Sequence, residues 1–448
     1  MRVVTGPMPP LSPSRAVLLQ RCLRSQRPIS NAFITTRISP LQIRKASSAS
    51  KHPRGFQPPT TADLDELRDR TLEFVKREIP PDLAQKTDQE NEFPSHLWRK
   101  LGDAGFLGIT ADEDQGGLAM GYQAHCIVLE ELSRASGSIG LSYAAHSQLC
   151  INQLQLNGTP EQKSKYLPAL IKGEKVGALA MSEYDAGSDV VSMRMTATPS
   201  PDGDGYVLDG TKMWITNGPD ADIVIVYAKT SPQAGSKGIT AFIVETTSPG
   251  FSVAKKLDKL GMRGSNTGEL NCSSLHVPAS NVLGSVDKGV SVLMEGLDLE
   301  RLVLSAGPLG LMKAALDITL PYVHTRKQFG EPLAHNQFIQ GKLAEMYTKY
   351  LSASALTHSV ARAIDEHHDD PEYRIRTQDC AAAILFAAER ATECGMDAIQ
   401  CLGGMGYVTE IAAGRVMRDA KLYEIGAGTT EVRKLIIGRA FNKEYGTR

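Results

Sequence analysis

Apolar and polar positions follow two different periods along this chain, in three successive blocks. From residue 63 to about 178, segments such as DLDELRDRTLEFVKREI, PSHLWRKLGDAGF, AHCIVLEELSRAS and QKSKYLPALIKG space their apolar residues near 3.6, the period of an amphipathic helix. Pro80, Pro81, Gly116, Gly117 and Gly158 fall between them and mark helix ends. At about 183 the texture changes to short β-rich runs, YVLDGTKMWI, ADIVIVYAKT and GITAFIVE, separated by Gly, Pro, Asn and Asp. Asp209-Gly210, lying between apolar runs, predicts a hairpin turn. After about 285 helices return, from VSVLMEGLDLERLVL through AAAILFAAERATECGMDAI to TEVRKLIIGRAF, and Gly307-Pro308 should kink or end the first of them. The pattern predicts a mainly α chain with a middle β domain, divided at 60–178, 179–285 and 286–448. Strand and helix do not alternate and GxGxxG is absent, so a doubly wound nucleotide-binding sheet is not expected.

Length agrees with several domains, because 448 residues exceed the ~250–300 at which a single core stops growing. The composition, 42% hydrophobic and 22% charged, is that of a globular protein, and no stretch reaches the roughly 18 consecutive apolar residues of a membrane helix, so membrane insertion is not expected. A net charge of −1 offers nothing to attract nucleic acid. That balance is uneven, however. Ten of the 49 basic residues (Arg2, Arg15, Arg21, Arg24, Arg27, Arg37, Arg44, Lys45, Lys51, Arg54) precede Asp63, the first acidic residue, so the remainder carries −11. An Arg- and Ser-rich, acid-free start without a continuous apolar core fits a mitochondrial transit peptide and linker over 1–55, cut somewhere in 44–60. The alternative is a disordered basic tail that binds an acidic partner. Seven cysteines, spread thinly with no CxxC, predict reduced and mostly buried thiols, and ten histidines without HExxH or HxH spacing give no support to a metal site.

Candidate chemistry lies in four segments. In GLDLERLVL, a helical Glu300 has Gly296, Leu297, Val303 and Leu304 as same-face neighbours, none able to pair with a carboxylate. Desolvation there would raise its pKa toward the range of a general base; the alternative is an ion pair with another helix. In YEIGAGTTEVRKLII, Gly426 and Gly428 lead into a helix start with Thr429, Thr430 and Glu431, and Val432, Leu435, Ile436 and Phe441 form an apolar stripe. Such a start can hold an anion or a developing oxyanion, or be an ordinary cap. SEYDAGSDVV offers the Ser182 and Ser188 hydroxyls and the Gly187 backbone to a phosphate. Trp214 ends a β run before an Asn-Gly turn, where its ring could face a planar cofactor or fill a core.

SEYDAGSD, KMWITNG, TRKQFG, QCLGGMGYVTEIAAGRVMRD and YEIGAGTTEVRKLIIGRAF together, in this order and spacing over about 63–448, resemble the acyl-CoA dehydrogenase family. The resemblance implies a helical domain, a β-barrel or sandwich and a C-terminal four-helix bundle, assembled as a homotetramer with FAD partly across a subunit interface. It implies an acyl-CoA substrate and electron-transferring flavoprotein as electron acceptor in the mitochondrial matrix. Isoalloxazine neighbours would be Leu179, Ala180, Met181, Ser182, Glu183, Tyr184, Asp185, Ala186, Gly187 and Ser188, with Trp214, Ile215 and Thr216. Arg326, Gln337, Gln400, Cys401, Leu402, Gly403, Gly404, Thr429, Thr430 and Glu431 would serve the adenine and pyrophosphate end. Ser188, Ser236, Lys237, Ser291, Asp298, Leu299, Arg301, Ala427 and Gly428 would meet the acyl-CoA.

One departure from the family pattern concerns the base. Most relatives carry a glutamate in the loop before the last helix, as in YEGT, whereas IGAGT places Ala427 there. In two branches, one acting on short branched chains and one on long chains, the glutamate comes from the GLDLER helix instead, which is Glu300 here. The resemblance thus implies α,β-dehydrogenation with Glu300 as base and a backbone N–H donor retained at Ala427. Tyr184 stands where many relatives have proline.

Overall fold

The computed structural model describes residues 56–446, so the expected transit peptide lies outside the described residues. Seven helices come first: α1 Thr61–Glu78, α2 Pro81–Glu90, α3 Leu97–Asp103, α4 Gly121–Ala135, α5 Gly137–Ala144, α6 Asn152–Asn157 and α7 Pro160–Ile171. Local chemistry sets their starts. Thr60 accepts from the Asp63 N–H while Asp63 accepts from the Thr60 N–H, and Thr159 with Gln162 repeats this capping box before α7. A π segment, Ala145–Ile151, whose hydrogen bonds span one residue more than an α-helix's, joins α5 to α6.

The middle region is β1 Gly177–Ala180, β2 Thr196–Pro199, β3 Gly205–Thr216, β4 Ile223–Lys229, β5 Ile239–Glu245, β6 Phe251–Lys256, β7 Thr267–Pro278 and β8 Val282–Leu283. They form one sheet in the order β6-β7-β3-β2-β4-β5-β8, with β1 parallel to β4. The period-two geometry of β4 decides where the active site stands. Ile223, Ile225 and Tyr227 face the helical core, while Val224, Val226 and Ala228 join a separate cluster with Leu208, Phe242 and Leu275 on the other side. The hairpin expected at Asp209-Gly210 is absent: β3 runs straight through it, with a register shift between Leu208 and Gly210 against β7. Glycine is required there because a Cβ would come within 2.9 Å of the Met195 Cα, so the residue serves close strand packing and a bulge, not a turn.

Helices α8 Gly289–Leu304, α9 Ala306–Thr325, α10 Gln337–Glu366, α11 Thr377–Leu402, α12 Ala413–Leu422 and α13 Thr430–Tyr445 complete the chain, with a small hairpin at 327–332 between α9 and α10. The expected break at Gly307-Pro308 occurs just ahead of it, between Leu304 and Ala306. Although it has no run of 18 consecutive apolar residues, Gly289–Thr325 taken as a unit is long and apolar enough on average to cross a bilayer. It is a core element instead, with 83% of its most apolar window buried by the helices around it. The six described cysteines are free and buried, as expected.

Candidate active site

Glu300 sits near the end of α8 and is 5% exposed, with Leu297, Val303 and Leu304 buried beside it. Among the described residues none hydrogen-bonds or ion-pairs with its carboxylate, so the alternative of an interhelical ion pair is not realised. Burial raises its pKa to about 7, against the partial counter-pull of Arg301 and Arg433. One turn earlier, Gly296 lies so close to Gln153 that a Cβ would meet its Oε1 at 2.5 Å. Gln153 in turn donates to the Tyr227 hydroxyl at 2.8 Å and to the Val292 carbonyl at 2.5 Å. Tyr227 is fully buried, and its pKa is raised by that burial and further by the charge of Glu300. Strand β4, helix α6 and helix α8 therefore meet behind the base.

The loop before α13 closes the same region. Thr429 caps α13 by accepting from the Val432 N–H at 3.3 Å. Ala427 has φ +55°, a left-handed conformation that costs a non-glycine residue about 1 kcal/mol, and Gly428 follows at φ +86°. The turn is held by Thr430 N–H to the Glu424 carbonyl at 3.0 Å and by Arg433 Nη2 to the Gly426 carbonyl at 2.6 Å. No described group accepts the Ala427 N–H. The apolar stripe expected on this helix does not face the chain's own core: Leu435 and Phe441 are about half exposed, and the buried positions are Thr430 and Arg433. Gln153, Tyr227 and Arg433 were not anticipated from sequence; each is a single polar residue without a motif, brought to Glu300 only by packing.

A second group forms at the end of β1. Leu179 and Ala180 are buried within the strand, Met181 and Ser182 are partly exposed, and Tyr184, Asp185, Gly187 and Ser188 reach solvent around a buried Ala186. Glu183 departs from expectation. Its carboxylate is buried against Lys212 at 2.8 Å and accepts from the Arg194 and Met195 N–H groups at 2.6 and 3.0 Å, so its side chain braces the loop and is not turned to a ligand. Trp214, at φ +61° and 48% exposed, lies at a second register shift of β3 between Lys212 and Ile215. Tyr184 stacks on it with ring centroids 6.4 Å apart and planes 20° apart. Ile215 is buried, Thr216 is partly exposed, and Met213 N–H donates to the Ser182 carbonyl at 2.9 Å, tying strand to loop. An open aromatic shelf edged by backbone fits a planar isoalloxazine.

The remaining expected residues lie apart from these two groups. Ser236 and Lys237 are exposed in a 3-10 segment, Pro232–Gly238, that packs against α8 and against Val190–Ser192, so Ser188, Ser236, Lys237 and Ser291 share one open edge. Asp298 is held by Arg301 at 2.7 Å and by the Thr377 hydroxyl at 2.6 Å, with Leu299 buried beside it. Arg326 and Gln337 are exposed at either end of the 327–332 hairpin, near the fully exposed Phe329 and Phe338. Gln400, Gly403 and Gly404 are also exposed, while Cys401 and Leu402 are buried, and Thr430 is buried behind an exposed Glu431. No described hydrogen bond joins Arg326, Gln337 or Gln400–Gly404 to the Trp214 shelf.

Comparison with known proteins gives the same arrangement a family. The acyl-CoA dehydrogenase N-terminal, middle and C-terminal domains match residues 61–174, 178–275 and 287–441. Mitochondrial isovaleryl-CoA dehydrogenases of Pongo abelii and Solanum tuberosum are 56% and 58% identical over 384 and 381 residues, which is 85% of this chain and 89% and 90% of theirs. A mitochondrial 2-methylacyl-CoA dehydrogenase of Solanum tuberosum is 56% identical over 380 residues, 84% of this chain and 90% of that protein. The structure of an acyl-CoA dehydrogenase complexed with FAD from Bacillus anthracis superposes with a TM-score of 0.81 at 30% identity, covering 87% of this chain and 69% of that one. With a sheet and aromatic shelf between two helical parts, and a buried carboxylate on the first helix of the second, the chain belongs to the acyl-CoA dehydrogenase family.

Proposed function

We propose that this chain is a mitochondrial FAD-dependent dehydrogenase that converts isovaleryl-CoA to 3-methylcrotonyl-CoA in leucine breakdown, with Glu300 as the base. The observation that carries this reading is a buried carboxylate on α8, raised to about 7, that has no hydrogen-bond or ion-pair partner among the described residues. An unpaired carboxylate near neutrality accepts a proton from an acidified carbon more readily than a salt-bridged one. The α-proton of the thioester moves to Glu300, and the free Ala427 N–H donates to the thioester oxygen as negative charge develops there. When bound, FAD supplies the acceptor for the β-hydrogen and its electron pair, which electron-transferring flavoprotein then removes. Trp214 and Tyr184 offer the flat surface for the isoalloxazine, and Ser188, Ser236, Lys237 and Ser291 the open edge for CoA, with Asp298, Leu299 and Arg301 beside the acyl chain.

Arg326, Gln337 and Gln400–Gly404 serve the FAD of a neighbouring copy in a homotetramer, which accounts for the exposure of Arg326, Gln337, Gln400, Gly403 and Gly404 and for the bare apolar faces around Phe329 and Phe338. The domains divide at 60–178, 179–285 and 286–448, the location is the mitochondrial matrix, and the transit peptide is removed on import by a cut somewhere in 44–60. A second reading, a preference for 2-methyl-branched acyl-CoA, is favoured by the equally similar potato relative. Anaerobic mixing with isovaleryl-, isobutyryl-, 2-methylbutyryl-, butyryl- and palmitoyl-CoA separates the two. Isovaleryl-CoA is expected to bleach the flavin absorbance fastest; faster bleaching by 2-methylbutyryl-CoA selects the second reading, and bleaching by palmitoyl-CoA alone overturns both.

The methyl of Ala427 also leaves space where other family members project a carboxylate. Ala427→Glu is expected to lower kcat/KM for isovaleryl-CoA relative to butyryl-CoA by about tenfold or more, since one misplaced methyl-sized group changes selectivity by ~1–3 kcal/mol. Unchanged relative rates would show that Ala427 makes no room for the branch.

A further inference from the structure

The loop between β4 and β5 carries Ser236 and Lys237, whose exposed side chains have no hydrogen-bond partner among the described residues. Gly235, at φ +61° and ψ −125°, interrupts the 3-10 turns of this loop, so its own backbone does little to hold it. Its ends are gripped instead. The Thr230 and Ser231 N–H groups donate to the Gly238 carbonyl at 2.9 and 3.1 Å. Opposite them stands Asp287, two residues before α8: the Thr230 hydroxyl donates to its Oδ1 at 2.5 Å and the Ser231 hydroxyl to its Oδ2 at 3.0 Å. The Asp287 N–H donates to Thr240 Oγ1 at 2.8 Å, and Thr240 Oγ1 lies 2.7 Å from Thr230 Oγ1, which closes a ring of hydrogen bonds. Among the described residues, Asp287 is the only group beyond β4 and β5 that bonds the side chains of this loop. It does so at φ +60°, a left-handed conformation that aspartate adopts at a cost when its side chain finds partners nearby. No described cation pairs with its carboxylate, so both oxygens serve the two hydroxyls.

We propose that Asp287 is a positioning residue for thioester binding: by fastening Thr230 and Ser231 to the start of α8, it holds the Ser236–Lys237 turn where the phosphate-bearing end of CoA is received. The proposal rests on the reading of Ser188, Ser236, Lys237 and Ser291 as the CoA edge. Helix α8 is the shared frame. It offers Ser291 in its first turn and carries Glu300 further along, and its first residue, Gly289, lies so close to β5 that a Cβ would meet the Ile239 carbonyl oxygen at 2.8 Å. Base and CoA edge therefore stand on one rigid element, and Asp287 is the point where the mobile-ended loop joins it. Hydrogen bonds from hydroxyls to a carboxylate are of the stronger, charge-assisted kind. A turn already ordered by them has less freedom to lose when the thioester arrives.

Asp287→Gly keeps the left-handed turn without strain and removes only the carboxylate. It is expected to raise KM for isovaleryl-CoA by about tenfold, the effect of having to order two side chains on binding, while kcat changes by less than about twofold. Isovaleryl-pantetheine, which lacks the nucleotide, should show the same KM with the variant as with the parent. Asp287→Asn, still accepting from Thr230 through its amide oxygen, should stay nearer the parent than Asp287→Gly. With no thioester present, the backbone amides of 233–237 should exchange with deuterium faster in Asp287→Gly. The proposal is overturned if Asp287→Gly keeps the parent's KM for isovaleryl-CoA, if KM rises equally for both thioesters, if Asp287→Asn is impaired as far as Asp287→Gly, or if those amides exchange at the parent's rate. Should Asp287→Gly not fold, Thr230→Val with Ser231→Ala removes the same two bonds from the other side and decides by the same two thioesters. Failure of the CoA-edge reading itself looks different: Ser236→Ala with Lys237→Ala would then leave KM for isovaleryl-CoA unchanged whatever Asp287 does.

Discussion

Glu300→Gln should lose turnover by about a thousandfold, within the ~10²–10⁴ that a positioned general base contributes, while still binding FAD and acyl-CoA. The same substitution should make the protein more stable, and the sign comes from proton linkage. Glu300 titrates at about 7 when folded, against a reference of 4.5. Between those two values the folded chain holds a proton that the unfolded chain has released, so stability falls as pH rises through this window and stays lower above it. The loss is roughly 1.4 kcal/mol per pH unit, or about 3 kcal/mol in all by pH 8. Glutamine carries no charge to desolvate, so Glu300→Gln should unfold at a higher temperature than the parent at pH 8, with the advantage fading toward pH 4. Steady-state turnover and thermal unfolding at the two pH values check both halves. An inactive variant with no stability gain would mean that the carboxylate is ionised at little cost, and that its burial is not what tunes it.

Lys212→Met should destabilise the chain by about 3–5 kcal/mol, the penalty for leaving one member of a buried ion pair without the other. Lys212 and Glu183 are both buried, 2.8 Å apart, and Lys212 also donates to the Met181 carbonyl at 3.1 Å. Glu183 holds the N–H groups of Arg194 and Met195 as well, so this one pair closes the loop between β1 and β2 that carries Tyr184 and Ser188. Loosening it should release FAD on dilution at temperatures where the parent retains it. The double variant Glu183→Gln, Lys212→Met removes the stranded charge and should recover much of the stability but little of the FAD retention. Denaturant unfolding together with flavin fluorescence after dilution distinguishes the two effects; a Lys212→Met variant with parent-like unfolding would remove the pair from the account of this loop.

The reach of sequence reading differs sharply between residues of the same site. Glu300 was legible because an amphipathic helix makes burial periodic: a carboxylate whose neighbours three and four residues away are Gly, Leu, Val and Leu is predicted to lie on the inner face, and it does. Its freedom from an ion pair was not legible, since that depends on which side chains other helices bring. The Asp209-Gly210 pair misled for a related reason. A turn signal is local, whereas the choice between a turn and a bulge in β3 was made by β7 and by the approach of Met195. The stripe expected on α13 is not realised: Val432 and Phe441, nine residues apart, point to opposite sides of the helix, Leu435 and Phe441 are about half exposed, and the buried positions are Thr430 and Arg433.

By itself the sequence determined the succession of helical, β and helical parts, the inward face of α8 and the substitution of Ala427 for a loop carboxylate, all properties of neighbours within a few residues along the chain. Only the tertiary structure decided that Gln153 and Tyr227 stand behind Glu300, that Glu183 is turned inward to Lys212, and that Arg433 links α13 to the Gly426 carbonyl. These contacts join residues 7 to 74 positions apart that share no motif. Their energies come from burial and charge in a low-dielectric interior, which exists only once the helices have packed on the sheet.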